Sequence, residues 1–403
     1  MSSSRALAGL LAALVPAGAH AELAWNPFVA GRYEYDSNVF ALASPEQGQA
    51  LNGTPQRDDR VTHYAVGLDP TFSWNEQRAH VRLERRWLRY QRFDDLDHEA
   101  YRVDAAFDWR ATSTLGGSAS FRQDRRMASF ADRQTNQLTL EREREGAASV
   151  EWAATADWRI EAGLRARRLE SPLTAVPATP DTPAVAAAPD FALRENAVSV
   201  AFKYAGLGRL STGLQTEVLE GRYTGVPDAP RFAQGKLELT LSYALSGLST
   251  FDGAAGYTRR ANRDGGGDLD EFTGALAYRR ALTGKTHVQA QVFRRISSYV
   301  SGADSTVDTG IGAGMTWRPT VKVAVSLGAE WARTRFAEGA IGDGVDEARR
   351  DRYRSATLDL RYDVLQWLTV RPYGSYRERD SDSELDRFRE RILGLELEGR
   401  LAR

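Results

Sequence analysis

Cysteine is absent from the 403 residues, and there are only 3 methionines and 5 histidines. Without thiols the chain has no thiolate nucleophile, no zinc-thiolate or iron-sulfur site and no disulfide framework. Neither charge sign is in excess. The 53 Lys+Arg and 54 Asp+Glu are scattered along the chain, so no basic stripe exists to neutralise phosphates, which argues against nucleic acid as a partner. No stretch beyond the first residues reaches about 18 uncharged apolar positions, so no transmembrane helix is expected in the mature protein. His63, His80, His98 and His287 show no metal-ligand spacing with another histidine or a carboxylate on the same face. Neither a metal nor a cofactor is expected.

What is present begins with a targeting signal. Arg5, the apolar run at 6–15 and the Ala19-His20-Ala21 site read as a secretory signal peptide over 1–21. Its removal takes away Arg5 and no acid, leaving 52 − 54 = −2 for residues 22–403, which are expected to form a single domain.

From residue 28 the apolar period is two, as a half-buried strand requires. Tyr101, Val103, Ala105, Phe107 and Trp109 alternate with Arg102, Asp104, Ala106 and Asp108, and similar splits recur at 158–165, 237–243, 307–317 and 323–331. On alternate strands the apolar parity ends on an aromatic just before a short connection: Trp74, Trp109, Trp152, Tyr204, Tyr243, Tyr278, Trp317 and Tyr362, spaced 35 to 52 residues apart. The other connections, such as 37–60, 171–190 and 336–351, are long. A soluble sandwich or propeller also alternates, but it gives no reason for aromatics to gather at one end of one face. Short periplasmic turns, long outer loops and an aromatic girdle are the pattern of an outer-membrane barrel.

The fold class expected is therefore all-β, a transmembrane antiparallel up-and-down barrel. Its strands are predicted at 28–36, 61–74, 78–93, 98–109, 115–126, 142–152, 158–168, 191–204, 209–223, 232–243, 248–260, 270–280, 286–295, 305–317, 322–335, 352–362, 367–377 and 388–403. That makes about eighteen, with sixteen the alternative if one hairpin is misread. A barrel of this size leaves an aqueous lumen. The parity opposite the apolar one assigns the lumen lining to Arg82, Glu84, Arg102, Asp104, Asp108, Arg122, Asp124, Arg159, Glu161, Arg165, Arg167, Lys203, Glu217, Glu238, Arg279, Glu330, Asp359, Arg361, Glu396 and Glu398. Inward aromatics for stacking on sugars are few, Phe293 and Tyr373. Arg142 and Arg144 share parity with Val150 and Trp152; they reach lipopolysaccharide phosphates, or a bulge turns them inward, or the strand is already clear of the membrane there. The Ala/Pro-rich 172–189 stretch reads as a mobile outer loop.

The segment Tyr33-Glu34-Tyr35-Asp36-Ser37-Asn38-Val39-Phe40 resembles the first-strand signature of the EpsL-like outer-membrane barrels encoded with exosortase-linked exopolysaccharide loci. Asp36, Asn38 and Phe40 match, and Ser37 stands where a second acid is usual. Tyr90, Phe93 and Ser129-Phe130-Ala131-Asp132 extend the likeness. The resemblance implies a part in polysaccharide biosynthesis and export, with a secreted polysaccharide, outer-membrane lipid and lipopolysaccharide, and periplasmic export components as partners. It brings no catalytic residues. The rivals are a general or solute-specific diffusion porin and, through a serine-histidine-acid set around His98, an enzyme acting on lipid or surface glycan. Barrel C-termini commonly end on an aromatic; here Leu393, Leu395, Leu397 and Leu401 alternate before Arg403.

Overall fold

The computed structural model describes residues 21–132, 136–171, 191–225, 231–263, 268–298, 305–336 and 349–401. Residues 1–20 of the expected signal, the 172–189 stretch and Arg403 lie outside them. The strands are β1 (Ala21–Ala24), β2 (Pro27–Asp36), β3 (Asp59–Leu68), β4 (Thr71–Trp74), β5 (Gln77–Tyr90), β6 (His98–Arg110), β7 (Leu115–Met127), β8 (Leu140–Ala153), β9 (Trp158–Ser171) and β10 (Phe191–Leu207). They continue as β11 (Leu210–Thr224), β12 (Arg231–Ser246), β13 (Ser249–Asn262), β14 (Leu269–Thr283), β15 (Thr286–Ser298), β16 (Ser305–Thr320), β17 (Val323–Phe336), β18 (Arg350–Leu365), β19 (Leu368–Ser381) and β20 (Phe388–Arg400).

From β5 on each strand pairs antiparallel with its sequence neighbours, β3 pairs with β2 and β5, and β2 closes the ring against β20 from Phe28↔Arg400 to Asp36↔Ile392. Two wall strands are interrupted. Pro70 offers no N–H, so the ladder breaks between β3 and β4, and Asn26, at φ 42°, breaks β1 from β2 on the neighbouring strand. The two breaks face each other: the Asn26 side chain donates to the Asp69 carbonyl at 3.3 Å, and β1 pairs with β4. Counting each broken pair once, the wall has 18 strands. Closure leaves no unpaired sheet edge, as a strand wall in hydrocarbon requires. The wall starts earlier than the sequence suggests, since Ala21 already pairs with Trp74.

Six of the eight short ends are two-residue turns, with Asn75 (φ 49°) and Gly208 (φ 68°) in the left-handed region that tight hairpins demand, and the β6–β7 and β8–β9 ends have four residues. All eight predicted girdle aromatics sit beside these turns on the outward parity. Tyr204 packs on Trp158 at 4.8 Å between ring centroids and Tyr278 on Phe251 at 4.6 Å. Above them the outward face is apolar and bare: Leu164, Val218, Leu237, Leu239, Ile311 and Leu393 are each more than half exposed. In water this surface would aggregate; in a bilayer it is the lipid-facing band, about 25 Å tall. Leu239→Arg is expected to destabilise the barrel by about 2–4 kcal/mol, whereas Thr240→Arg, one residue on and facing the lumen, is expected to be tolerated. Urea-driven unfolding from lipid vesicles compares the two.

Candidate functional site: a polar lumen plugged at its outer mouth

The inward side chains interlock. From β4 round to β10 a chain of alternating charge runs Asp69–Arg82 (3.7 Å), Arg82–Glu84 (2.9 Å), Glu84–Arg86 (3.3 Å), Arg86–Asp124 (3.3 Å), Asp124–Arg126 (3.2 Å), Arg126–Glu143 (3.0 Å), Glu143–Arg167 (2.7 Å) and Arg167–Glu195 (3.0 Å). Across the closing seam Glu396 takes Arg32 at 2.5 Å and Arg371 at 3.0 Å, and Arg371 also reaches Asp359 at 3.0 Å. Pairs exposed to water contribute little stability each. Their effect here is to make the inner wall polar without a net field of one sign.

The twenty residues assigned to the lumen all lie on this inward parity, as the strand registers fix it. Asp104 binds Arg102 and, at 2.7 Å, Arg122. Arg165 reaches Glu217 at 3.6 Å, Lys203 holds Glu161, and Arg159 lies 3.6 Å from Glu151. Glu238 pairs with Lys236 at 2.6 Å, Arg279 with Asp252, Arg361 with Asp363 at 3.0 Å and Glu398 with Arg400 at 2.6 Å. Asp108 and Glu330 have no ion-pair partner among the described residues. Arg86, Arg126, Glu143, Glu195 and Arg371 were missed, although each stands on the same parity as a residue that was found.

Inward aromatics are more numerous than expected. Phe28, Phe232, Phe293, Phe336, Tyr353, Tyr373 and Phe388 face in, each beneath an arginine: Arg82 lies 4.5 Å from the Phe28 ring centroid, Arg295 4.6 Å from Phe293 and Arg349 4.4 Å from Phe336. The guanidinium covers the π face, so these rings are not a bare stacking ladder. Arg142 and Arg144 face outward with no bulge, and Arg142 lies 3.8 Å from Glu170.

The outer mouth is where the barrel departs most from the sequence reading. The β2–β3 connection turns in over the lumen and carries a helix, α1 (Pro45–Asn52). The Ser44 hydroxyl caps it by accepting from Gln47 N–H at 3.2 Å, and Gly53, at φ 70°, ends it. Glu46, in the first turn, is held below the usual carboxylate range by its hydrogen bond to Ser44.

Val39, Phe40 and Leu42 of this connection bury themselves against Val61, Tyr90, Leu96 and Phe130. Phe40 meets Phe93 edge-on at 4.8 Å and Phe130 at 4.9 Å. On the opposite side, Ala41 and Ala131 pack on Phe388 and Tyr353. Asn38, 1% exposed, is the knot. It donates to the carbonyls of Leu42 (2.9 Å) and Arg389 (3.0 Å), accepts from Leu42 N–H (3.0 Å), and its own N–H donates to Asp36 (2.8 Å). Asn136 donates to the Leu51 carbonyl at 2.9 Å, Gln47 to that of Leu385 at 3.3 Å and Arg379 of β19 to that of Ala131. Three connections, β2–β3, β7–β8 and β19–β20, are thereby tied into one plug.

Beneath the plug lies a cavity of about 580 Å³. Glu34, Asp36, Glu141 and Glu390 line it with His63, Arg126, Arg167 and Arg377, against an apolar side of Val61, Leu88 and Leu169. The Tyr373 hydroxyl donates to Glu34 at 2.5 Å, His63 lies 3.0 Å from the same carboxylate, and Arg377 binds Glu390. Polar groups of both signs beside an apolar wall suit a hydroxyl-rich solute. His98 is elsewhere engaged: its Nδ1 donates to the Leu96 carbonyl at 2.7 Å and its ring stacks beside Tyr90.

No family model and no curated relative matches the sequence. Solved structures do. A ferric enterobactin receptor (PfeA) of Pseudomonas aeruginosa in complex with BCV-L6 superposes with a TM-score of 0.52 at 8% identity, over 96% of this chain and 82% of that one. This chain folds as an outer-membrane β-barrel. At TM-scores of 0.48 and 0.46 stand P. aeruginosa OccK2 (OpdF) in complex with glucuronate, 13% identical over 94% and 98% of the two chains, and P. aeruginosa OpdQ, 9% identical over 94% and 98%.

Proposed function

We propose that this barrel is the outer-membrane conduit of a secreted polysaccharide, with the polar lumen as the path and the plug as the gate. One observation carries the reading. Asp36, Asn38, Phe40, Tyr90, Phe93 and Phe130, the residues of the EpsL-like resemblance, are spread over nearly a hundred positions and meet in or beside the plug. A gate over the lumen requires such residues to meet; the barrel wall alone does not. The polar cavity beneath the plug, wide enough for sugar rings, supports the same reading. The engagement of His98 Nδ1 by the Leu96 carbonyl supports passage over catalysis, because the histidine that an acyl-transfer reading would use is held by the backbone.

Deleting the gene is expected to abolish surface polysaccharide while cytoplasmic sugar-nucleotide pools persist. Normal surface polysaccharide in the deletion strain would refute the proposal. The balanced charge of the wall also suits a diffusion porin. Stable, large, ohmic openings of the unaltered protein in a planar bilayer would favour that second reading.

A further inference from the structure

The outward face of β16–β20 carries two features that the passage of a solute does not use. The first is a groove of about 750 Å³ on the lipid side, floored by Ala313, Ala329, Ala356 and Gly374 and walled by Leu327 and Leu358. The floor residues are cross-strand neighbours, Ala313↔Ala329 and Ala329↔Ala356, so the depression crosses the wall where bulkier side chains elsewhere make the band convex. Arg391 and Tyr376 close its outer end.

The second feature is a surplus of arginine directly above. Arg333, Arg352, Arg354, Arg387, Arg389 and Arg391 stand on the outward side of β17–β20 against only Glu378 and Asp380. Glu378 is shared by Arg389 (2.8 Å) and Arg354 (3.4 Å), and Asp380 lies 3.6 Å from Arg352 and 3.9 Å from Arg387. Arg333 and Arg391 have no carboxylate partner among the described residues. Arg333 also stands directly opposite Arg352, a like-charged cross-strand pair that is unfavourable unless an anion lies between. Arg352 is ten residues from the girdle residue Tyr362. At the strand rise and a barrel tilt of about 40° this is roughly 25 Å, the top of the apolar band, where the outer-leaflet headgroups begin.

We propose that this face binds one phosphorylated, multiply acylated glycolipid of the outer leaflet, the chemistry of lipopolysaccharide. Acyl chains lie in the alanine-floored groove, one phosphate sits between Arg333 and Arg352, and a second meets Arg391 two strands from Arg352 at the groove's edge, so that both arginines without a carboxylate partner gain an anion. Guanidinium groups suit phosphate because their paired N–H donors match its oxygens. A single-chain fatty acid would fill the groove without engaging the arginines, and a second copy of the barrel would oppose arginine to arginine.

The test uses the full-length barrel in nanodiscs of neutral phospholipid, titrated with lipid A. Two variants separate the two halves of the site: Arg333→Gln with Arg391→Gln, which removes the unpartnered charges, and Ala329→Phe with Ala356→Phe, which fills the groove. Retention of heat-modifiable mobility on gels reports that each has folded. The unaltered protein is expected to bind lipid A at least about tenfold more tightly than either variant, and to lose that preference for lipid A stripped of its phosphates. Equal affinity of the folded variants and the unaltered protein overturns the proposal. So does equal competition by phosphatidylglycerol, which would make the site one for any anionic lipid, and so does a dimer that the groove variant abolishes. None of these outcomes depends on polysaccharide passage.

Discussion

Excising residues 38–57 and joining Ser37 to Asp58 through a short Gly-Ser turn is expected to turn a closed barrel into an open one. Single-channel conductance in a planar bilayer should rise at least ~10-fold, because 18 strands enclose a lumen too wide for wall side chains to fill. The connection removed is the one that crosses the mouth. Its Phe40 bridges Phe93 and Phe130, and Ala41 packs on Phe388 of β20, the strand beside β2. The wall itself should survive, since β2, β3 and β20 stay paired through their ladders and no strand residue is removed. An unchanged conductance would mean that the mouth is closed by something other than this plug.

The second large effect concerns one side chain. Asn38→Ala removes three side-chain hydrogen bonds: the buried Leu42 N–H loses its acceptor and the Arg389 carbonyl loses the Asn38 donor, while the Leu42 carbonyl keeps only Arg57, at 3.0 Å. At about 1 kcal/mol net for each bond, and more for groups left unpaired, the plug should lose about 3 kcal/mol or more of docking free energy. The loss is local, because Asn38 belongs to no wall strand. Hydrogen exchange should therefore accelerate by at least ~100-fold across 38–52, while amides of β10–β14 keep their protection. A uniform loss of protection would instead make Asn38 part of the barrel's global stability. Asn38→Asp should be nearly as damaging, since a carboxylate cannot donate to the two carbonyls.

The wall was legible in the sequence because a strand in a two-sided environment repeats every second residue, and lipid outside with water inside makes the two sides chemically opposite. The eighteen predicted spans match the observed strands to within a few residues, and the aromatics at Trp152, Trp317 and Tyr362 marked the short-turn end. The plug was not legible in the same way. Phe40, Phe93 and Phe130 lie in connections with no periodicity, and their meeting is a long-range event that barrel closure brings about. The helix had a local signal, Ser44 before Pro45 with Gly53 eight residues on, but it sat inside a span taken to be an outer loop. The inward aromatics were undercounted for a related reason. Phe232, Phe336, Tyr353 and Phe388 stand at the outer ends of their strands, where the wall is covered by connections and the rule of polar residues inside no longer holds.

The seal itself can be measured on intact cells. Because the chain has no cysteine, Ser120→Cys introduces a single thiol, on the inward face of β7 midway down the lumen and opposite Ala106. A bulky, membrane-impermeant maleimide added from outside is expected to label this thiol slowly in the plugged protein and at least ~10-fold faster once residues 38–57 are excised. Equal labelling of the two proteins, or labelling by a lipid-soluble reagent alone, would contradict a polar lumen closed from above by its own first loop.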